Sequence, residues 1–221
     1  PVDPFELLTY CANAAVPEAC ARTQRDARGE LIEVDARLLN SGGLSVEGYD
    51  LSAGYRIDTD AGRFELMWDS TYYSEYQFEV PRGSGERSAV GHLFFLEPGF
   101  RLRSNLDLAW QREAFSAAVG IRYYSGLDEA CIPAAATAGL CSSPDIASPV
   151  FNGGPENHLG SRTYVDLQAG WNTPWQVRTV VGVHNVFDRD PPVAYSGISN
   201  SFDPSYPIPG RFWYLQLIFS Y

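Results

Sequence analysis

The sequence predicts an all-β fold of antiparallel strands, and three observations carry that prediction. The last eleven residues, Arg211-Phe-Trp-Tyr-Leu-Gln-Leu-Ile-Phe-Ser-Tyr221, place Trp213, Leu215, Leu217, Phe219 and Tyr221 on one face of an extended strand. The other face carries the more mixed set Phe212, Tyr214, Gln216, Ile218 and Ser220. The same period of two recurs upstream, and the connections between the repeats alternate short and long. A soluble protein seldom closes its chain with a long apolar strand, because an open edge invites pairing with other chains. A membrane β-barrel uses such a strand, with its stripe toward lipid and both edges paired. The predicted class is therefore an antiparallel transmembrane β-barrel wall.

Taken in order, the predicted strands cover about 31–57, 62–79, 99–112, 114–125, 160–172, 175–187 and 210–221, the first broken in two near Asn40-Ser-Gly-Gly43, for about eight strands. In the first, Tyr49, Leu51, Ala53, Tyr55 and Ile57 alternate with Asp50, Ser52, Gly54 and Arg56. In the third, Leu102, Leu106, Leu108 and Trp110 alternate with Arg101, Arg103, Asn105 and Asp107. Phe115, Ala117, Val119, Ile121 and Tyr123 define the fourth, and Val165, Leu167, Ala169 and Trp171 the fifth. These lengths approach the roughly 9–11 residues with which a tilted strand crosses a bilayer. Short connections fall at Asp58–Gly62, Gln111–Glu113 and Asn172–Trp175. Long ones cover about 80–98, 126–159 and 188–209, rich in Gly, Pro, Ser, Asn and Asp. That alternation sets an orientation, with short turns periplasmic and long loops outside. One short helix is expected at Leu7–Ala15, bracketed by Pro4 and Pro17.

Composition narrows the function. The 221 residues hold 13 Tyr, 12 Phe and 5 Trp, side chains suited to strands and membrane–water boundaries. No apolar run approaches the roughly 20 residues of a spanning helix, which excludes a helical membrane protein. The net charge is −11 and every basic residue is Arg, without the Lys/Arg clusters of a nucleic-acid binder. Cys11/Cys20 and Cys131/Cys141 form two close pairs in loop-like segments, with no His nearby. They read as two disulfide-closed loops in an oxidising compartment, each removing roughly 2–3 kcal/mol of unfolded-chain freedom. No signal-peptide pattern stands at Pro1-Val-Asp-Pro-Phe5.

One motif is sharper than composition. Val181-Gly-Val-His-Asn-Val-Phe-Asp-Arg-Asp-Pro-Pro192 ends a strand, and Pro209-Gly-Arg-Phe-Trp-Tyr214 opens the next. Asn185 and Asp188 favour a turn, Pro191-Pro192 stops pairing, and Gly210 permits the return. These segments resemble the C-terminal end of TonB-dependent outer-membrane receptors, where G-V-x-N-L-F-D-x-x-P-P precedes a Gly-Arg-aromatic strand ending in an aromatic residue. Val186 stands where Leu is usual and Tyr221 where Phe is commoner. Gly29–Val34, Asn40 and Glu47-Gly-Tyr-Asp50 also look like the stretch upstream in such receptors, so the likeness spans about 10–221 and is strongest from 160. The resemblance implies a 22-strand barrel with a plugged lumen, of which residues 1–221 are the C-terminal portion, the plug and earlier strands lying elsewhere. It implies import of a scarce nutrient across the outer membrane of a Gram-negative bacterium, in the siderophore or oligosaccharide class. Its partners would be outer-membrane lipid, the plug and missing strands, the TonB system and a small-molecule ligand. Leu215, Leu217, Phe219 and Tyr221 would form the C-terminal assembly signal.

The remaining candidates each carry two readings. Tyr195, Asn200, Phe202, Asp203 and Tyr206 can contact a ligand or pack their loop. Tyr72, Tyr73, Tyr76 and Phe78 read as an aromatic girdle, with Tyr73 open as a ligand-stacking residue. Asp128, Glu129, Asp145 and Glu156 read as a solvated acidic loop before a calcium site. His92, His158 and His184 are scattered, and Asp188 suits a turn better than a catalytic pair with Asp190. Arg101, Arg103, Arg122 and Arg178, if they face a lumen, pair with carboxylates. No catalytic, cofactor or metal constellation is expected, so the chain reads as no enzyme. The competing classes are a complete small eight-strand barrel with a structural or adhesive role, an outer-membrane hydrolase, and a secreted carbohydrate-binding sandwich.

Overall fold

The computed structural model describes residues 4–14, 16–37, 42–79, 85–94, 97–148, 150–151, 153–196 and 202–219. Helices α1 (Pro4–Ala14) and α2 (Pro17–Cys20) precede a hairpin of β1 (Thr23–Arg25) and β2 (Leu31–Val34). Two long strands follow, β3 (Gly43–Thr59) and β4 (Gly62–Glu79), then the short β5 (Arg87–Ser88), β6 (His92–Phe94) and β7 (Glu97–Pro98). Next come β8 (Leu102–Arg112), β9 (Phe115–Tyr124), β10 (Leu127–Ala130), helix α3 (Pro133–Thr137), β11 (Ser143–Ser148) and β12 (Gly154–Leu159). The chain ends with β13 (Arg162–Asn172), β14 (Val177–His184) and β15 (Phe212–Phe219). It divides into two compact units, residues 1–47 with 75–89 and residues 48–74 with 90–221, with β3 and β4 running through both.

In the first unit the helix pair is small and needs a staple. Leu7, Val16 and Ala19 are buried against Tyr10, Cys11 and Val34, and the Cys11–Cys20 disulfide joins α1 to α2. The β1–β2 turn is held by Asp26, whose Oδ1 accepts from the backbone N–H groups of Arg28 and Glu30 at 2.8 and 2.9 Å. The Arg87 guanidinium donates to the Tyr10 hydroxyl at 2.8 Å and lies 5.0 Å from the Phe78 ring centre.

The second unit is built on the main sheet, in the order β15-β14-β13-β9-β8-β4-β3, to which β3 from Gly48 and β4 as far as Ser74 contribute. From β4 to β15 each neighbouring pair is antiparallel, and the β3–β4 hairpin closes through two residues. Tight turns at 60–61, 113–114 and 173–176 lie at one end of the strands, and the long excursions leave from the other. Gly62 has φ +121°, and a Cβ there would meet the Gln111 carbonyl at 2.6 Å, so glycine is required at this turn.

Register assigns every residue to a face. Leu167, Val119 and Leu108 lie side by side across β13, β9 and β8, as do Val165, Ile121 and Leu106. On the same face β4 contributes Leu66 and Trp68, β14 Val181 and Val183, and β15 Trp213, Leu215, Leu217 and Phe219. Much of this apolar face is open, with Tyr49 73 % exposed, Leu215 64 % and Trp171 42 %, while Val183 near the loop end is buried. The opposite face is polar. Tyr164, Arg122, Asn105 and Asp69 form one cross-strand row there, and Gln168, Ala118, Ala109 and Glu65 another.

The first two long excursions, expected to lack regular structure, supply instead the strands of a second sheet of order β11-β12-β10-β6-β7, with one parallel pair, β10–β6. Its core joins Leu93, Phe100, Leu127, Leu159, Ala194 and Tyr206 to Tyr164 at the loop end of β13. The hydrophobic core of this unit thus sits beyond the ends of the long strands. Two further expectations shift. Residues 31–34 pair with β1 and not with the main sheet, which leaves seven long strands; of the break expected near 40–43, residues 40 and 41 lie outside the described residues and β3 starts at Gly43. Helix α3 was not anticipated, although Pro133 followed by three alanines is a helix start.

Candidate functional site

The polar face of the main sheet carries a connected network. Asp166 on β13 receives Arg122 on both oxygens, at 3.1 and 2.9 Å, and the Asn185 backbone N–H at 2.8 Å. His184 Nδ1 lies 3.2 Å from the same carboxylate, and its ring stacks on Tyr214 at 5.0 Å. The Tyr214 hydroxyl donates to Gln168 Oε1 at 2.9 Å. Tyr214 lies flat over Gly182, where a Cβ would run into its ring, so this glycine makes room for the stack. Further along the face, Arg56 pairs with Glu65 and Arg63 with Asp58, each at 2.7 Å. Ser52 donates to Asp69 and Thr71 to Asp50, also at 2.7 Å. Arg122 therefore meets a carboxylate on the neighbouring strand of the same sheet. Arg103 and Arg178 have no ion pair among the described residues, and each lines a recess in this face.

The turn motif is built as its residues suggest. Asn185, 1 % exposed with φ +52°, accepts from the Arg189 N–H and donates to the Arg189 carbonyl, both at 2.9 Å. Asp188, with φ +53°, reaches across to accept from the Arg211 N–H at 2.7 Å. Both residue types tolerate this left-handed backbone. Gly210 lies against that carboxylate, with room for a Cβ only at 2.9 Å.

The loop residues fall into place around one buried carboxylate. Glu129, with no exposed surface, accepts from Asn157 Nδ2 at 2.7 Å and from the backbone N–H groups of Tyr195 and Ser196 at 2.8 Å each. The Ser196 hydroxyl also donates to it. Asn157 in turn accepts from the Ser142 N–H beside the Cys131–Cys141 disulfide. Glu129 is thus no part of a solvated acidic loop: it ties the segment at 195–196 to the second sheet. Nothing in the sequence separates it from its acidic neighbours, since its donors lie up to 67 residues away.

Of the candidate contact residues, Tyr195 and Phe202 are half-buried, and Asp203 and Tyr206 are buried, at 1 % and 2 % exposed. Asp203 Oδ1 accepts from the Ser205 N–H at 2.8 Å. Tyr206 packs edge-on to Phe100 and against Tyr124, each at 5.3 Å. Burial pushes the Tyr206 phenol well above its ordinary pKa. Asn200 and Tyr221 lie outside the described residues.

His158 pairs with Asp128 at 2.7 Å, and His92 packs on Phe94 and Phe151. Among the described residues no group of three His, Cys, Asp or Glu side chains converges in a way that could hold a metal ion. The recess beside β4, β8 and β9 measures 310 Å³ and that nearer the tight turns 170 Å³.

No protein-family model and no curated protein matches the chain. Among solved structures, the closed form of the ferric-catecholate import receptor Fiu from E. coli K12 is similar at 17 % identity and a TM-score of 0.47, over 88 % of this chain. The chain spans 22 % of that receptor's length.

Proposed function

We propose that the main sheet is a section of the wall of an outer-membrane barrel of the TonB-dependent receptor class, working in active import of a scarce nutrient. The observation that carries this reading is the two-faced sheet. One face exposes large apolar side chains on strand after strand, among them Tyr49, Leu108, Leu167, Val181, Leu215 and Phe219, which a water-soluble monomer rarely does, while the other is knit by ion pairs and cross-strand hydrogen bonds. Strands β8, β9 and β13, at 11, 10 and 11 residues, match the span of a tilted strand through hydrocarbon. The Asn185/Asp188/Gly210 turn and the aromatic β15 support the class through their resemblance to its C-terminal motif.

Strand parity favours this reading over a complete small barrel. Six antiparallel steps separate β3 from β15, so the two edge strands run in the same direction. Joining them directly would make a parallel seam, whereas an all-antiparallel wall needs an odd number of further strands between them. On this reading the apolar face meets lipid, the polar face meets a plug, and the tight turns are periplasmic. The chain itself performs no catalysis, the TonB system acts through another part of the protein, and the ligand is a siderophore or an oligosaccharide.

The test is single-cysteine labelling in isolated outer membranes, using the natural full-length protein. Leu108→Cys, Leu167→Cys and Leu215→Cys should resist a water-soluble maleimide until the protein is unfolded in urea. Reaction at all three positions in intact membranes would rule out lipid contact and with it the proposal.

A further inference from the structure

The larger recess on the polar face lies at the loop end of the strands and is lined mainly by polar side chains of β4, β8 and β9, with Ser205 from the loop before β15. Its volume of 310 Å³ is at the small end of the roughly 300–1,000 Å³ usual for ligand pockets, enough for one ring-sized group. Ligand pockets are generally apolar with few polar groups, so a polar lining points to a hydrophilic occupant.

The charges narrow the class. Arg103 offers five N–H donors and has no ion-pair partner among the described residues. Asp69 offers a carboxylate engaged by a single hydroxyl, that of Ser52. An anion would meet Asp69 and a cation would meet Arg103. A neutral group with neighbouring hydroxyls suits both, because each hydroxyl donates one hydrogen bond and accepts others. Asn105 adds a further amide, and Tyr124 forms a fixed aromatic wall, held at 5.4 Å from Phe100 and 5.3 Å from Tyr206.

We propose that this recess, between Asp69, Arg103, Asn105, Tyr124 and Ser205, binds a neutral sugar residue. The inference rests on the import-receptor reading and chooses the carbohydrate class within it. The recess lies at the loop end of the strands, the end that faces outside on that reading. Tyr124 links it to the core of the second sheet, so the aromatic wall is positioned before any ligand arrives.

The experiment is saturation-transfer NMR on the full-length protein in a sugar-free detergent. Glucose, galactose, mannose and xylose are the probes, and citrate is the anionic comparison. At least one sugar should receive saturation and citrate none. Asp69→Asn and Arg103→Gln should each weaken sugar binding roughly ten-fold or more, the loss of a charge-assisted hydrogen bond. Arg178→Gln, in the smaller recess, should leave it unchanged. Circular dichroism confirms that the variants fold. Silence from all four sugars, a response to citrate alone, or full binding by Arg103→Gln overturns the proposal. Maleimide protection of the Leu108, Leu167 and Leu215 positions in the same protein separates the two ideas: protection without sugar binding removes the subsite and leaves the barrel.

Discussion

Glu129 carries a carboxylate into the interior with no ion pair among the described residues, and hydrogen bonds alone offset its desolvation. Glu129→Gln keeps the shape but sets an NH₂ group against a donor, which should cost about 1–3 kcal/mol locally. Hydrogen exchange reads this directly: the amides of Tyr195 and Ser196 should exchange faster while those of β13 do not. Unchanged protection at 195–196 would show that the carboxylate does not hold the loop. Tyr206 offers a pH test. Its folded pKa lies above the unfolded value of roughly 10, so its contribution is complete below that pH and is lost as pH rises toward the folded value. Absorbance at 295 nm should therefore show a late-titrating tyrosine that Tyr206→Phe removes. Tyr206→Phe should fold as well as the parent, because the buried hydroxyl makes no hydrogen bond among the described residues. Tyr206→Ala should lose about 3–5 kcal/mol of packing.

At the scale of elements, β14 and β15 depend on a glycine. Gly182→Ala would push Tyr214 off its seat, breaking its hydrogen bond to Gln168 and its stack on His184. The expected outcome is a protein that assembles with Tyr214 more reactive to tetranitromethane; unaltered reactivity would mean the ring has another way to fit. Helix α3 and the residues around it form a different kind of element, closed by Cys131–Cys141 over a separation of 10 residues. Replacing both cysteines by serine should destabilise this segment by roughly 2–3 kcal/mol. Limited proteolysis should then cut within 133–141 and spare the long strands. The alternation in β8, β9 and β13 was legible in sequence because their side chains obey a local period of two. The second sheet was not, because β6, β7 and β10 span only two to four residues each, too few for any period to register.

For the whole molecule, the open edges make a prediction of their own. The 221-residue chain refolded alone in detergent should not give the SDS-resistant, heat-modifiable band of a closed barrel, because β3 and β15 cannot close antiparallel. Such a band from the isolated chain would show that seven long strands suffice. Sequence by itself determined the long strands, the apolar stripe of β15, both cysteine pairings and the turn at Asn185 and Asp188, since each rests on neighbours a few residues apart or on a short period. Tertiary structure alone decided that Glu129 is buried, that Tyr164 and Tyr206 share a core, and that His184 joins Arg122 on Asp166. Those contacts join residues 18 to 67 positions apart, and burial at such separations is set by how the loops pack, which no local pattern encodes.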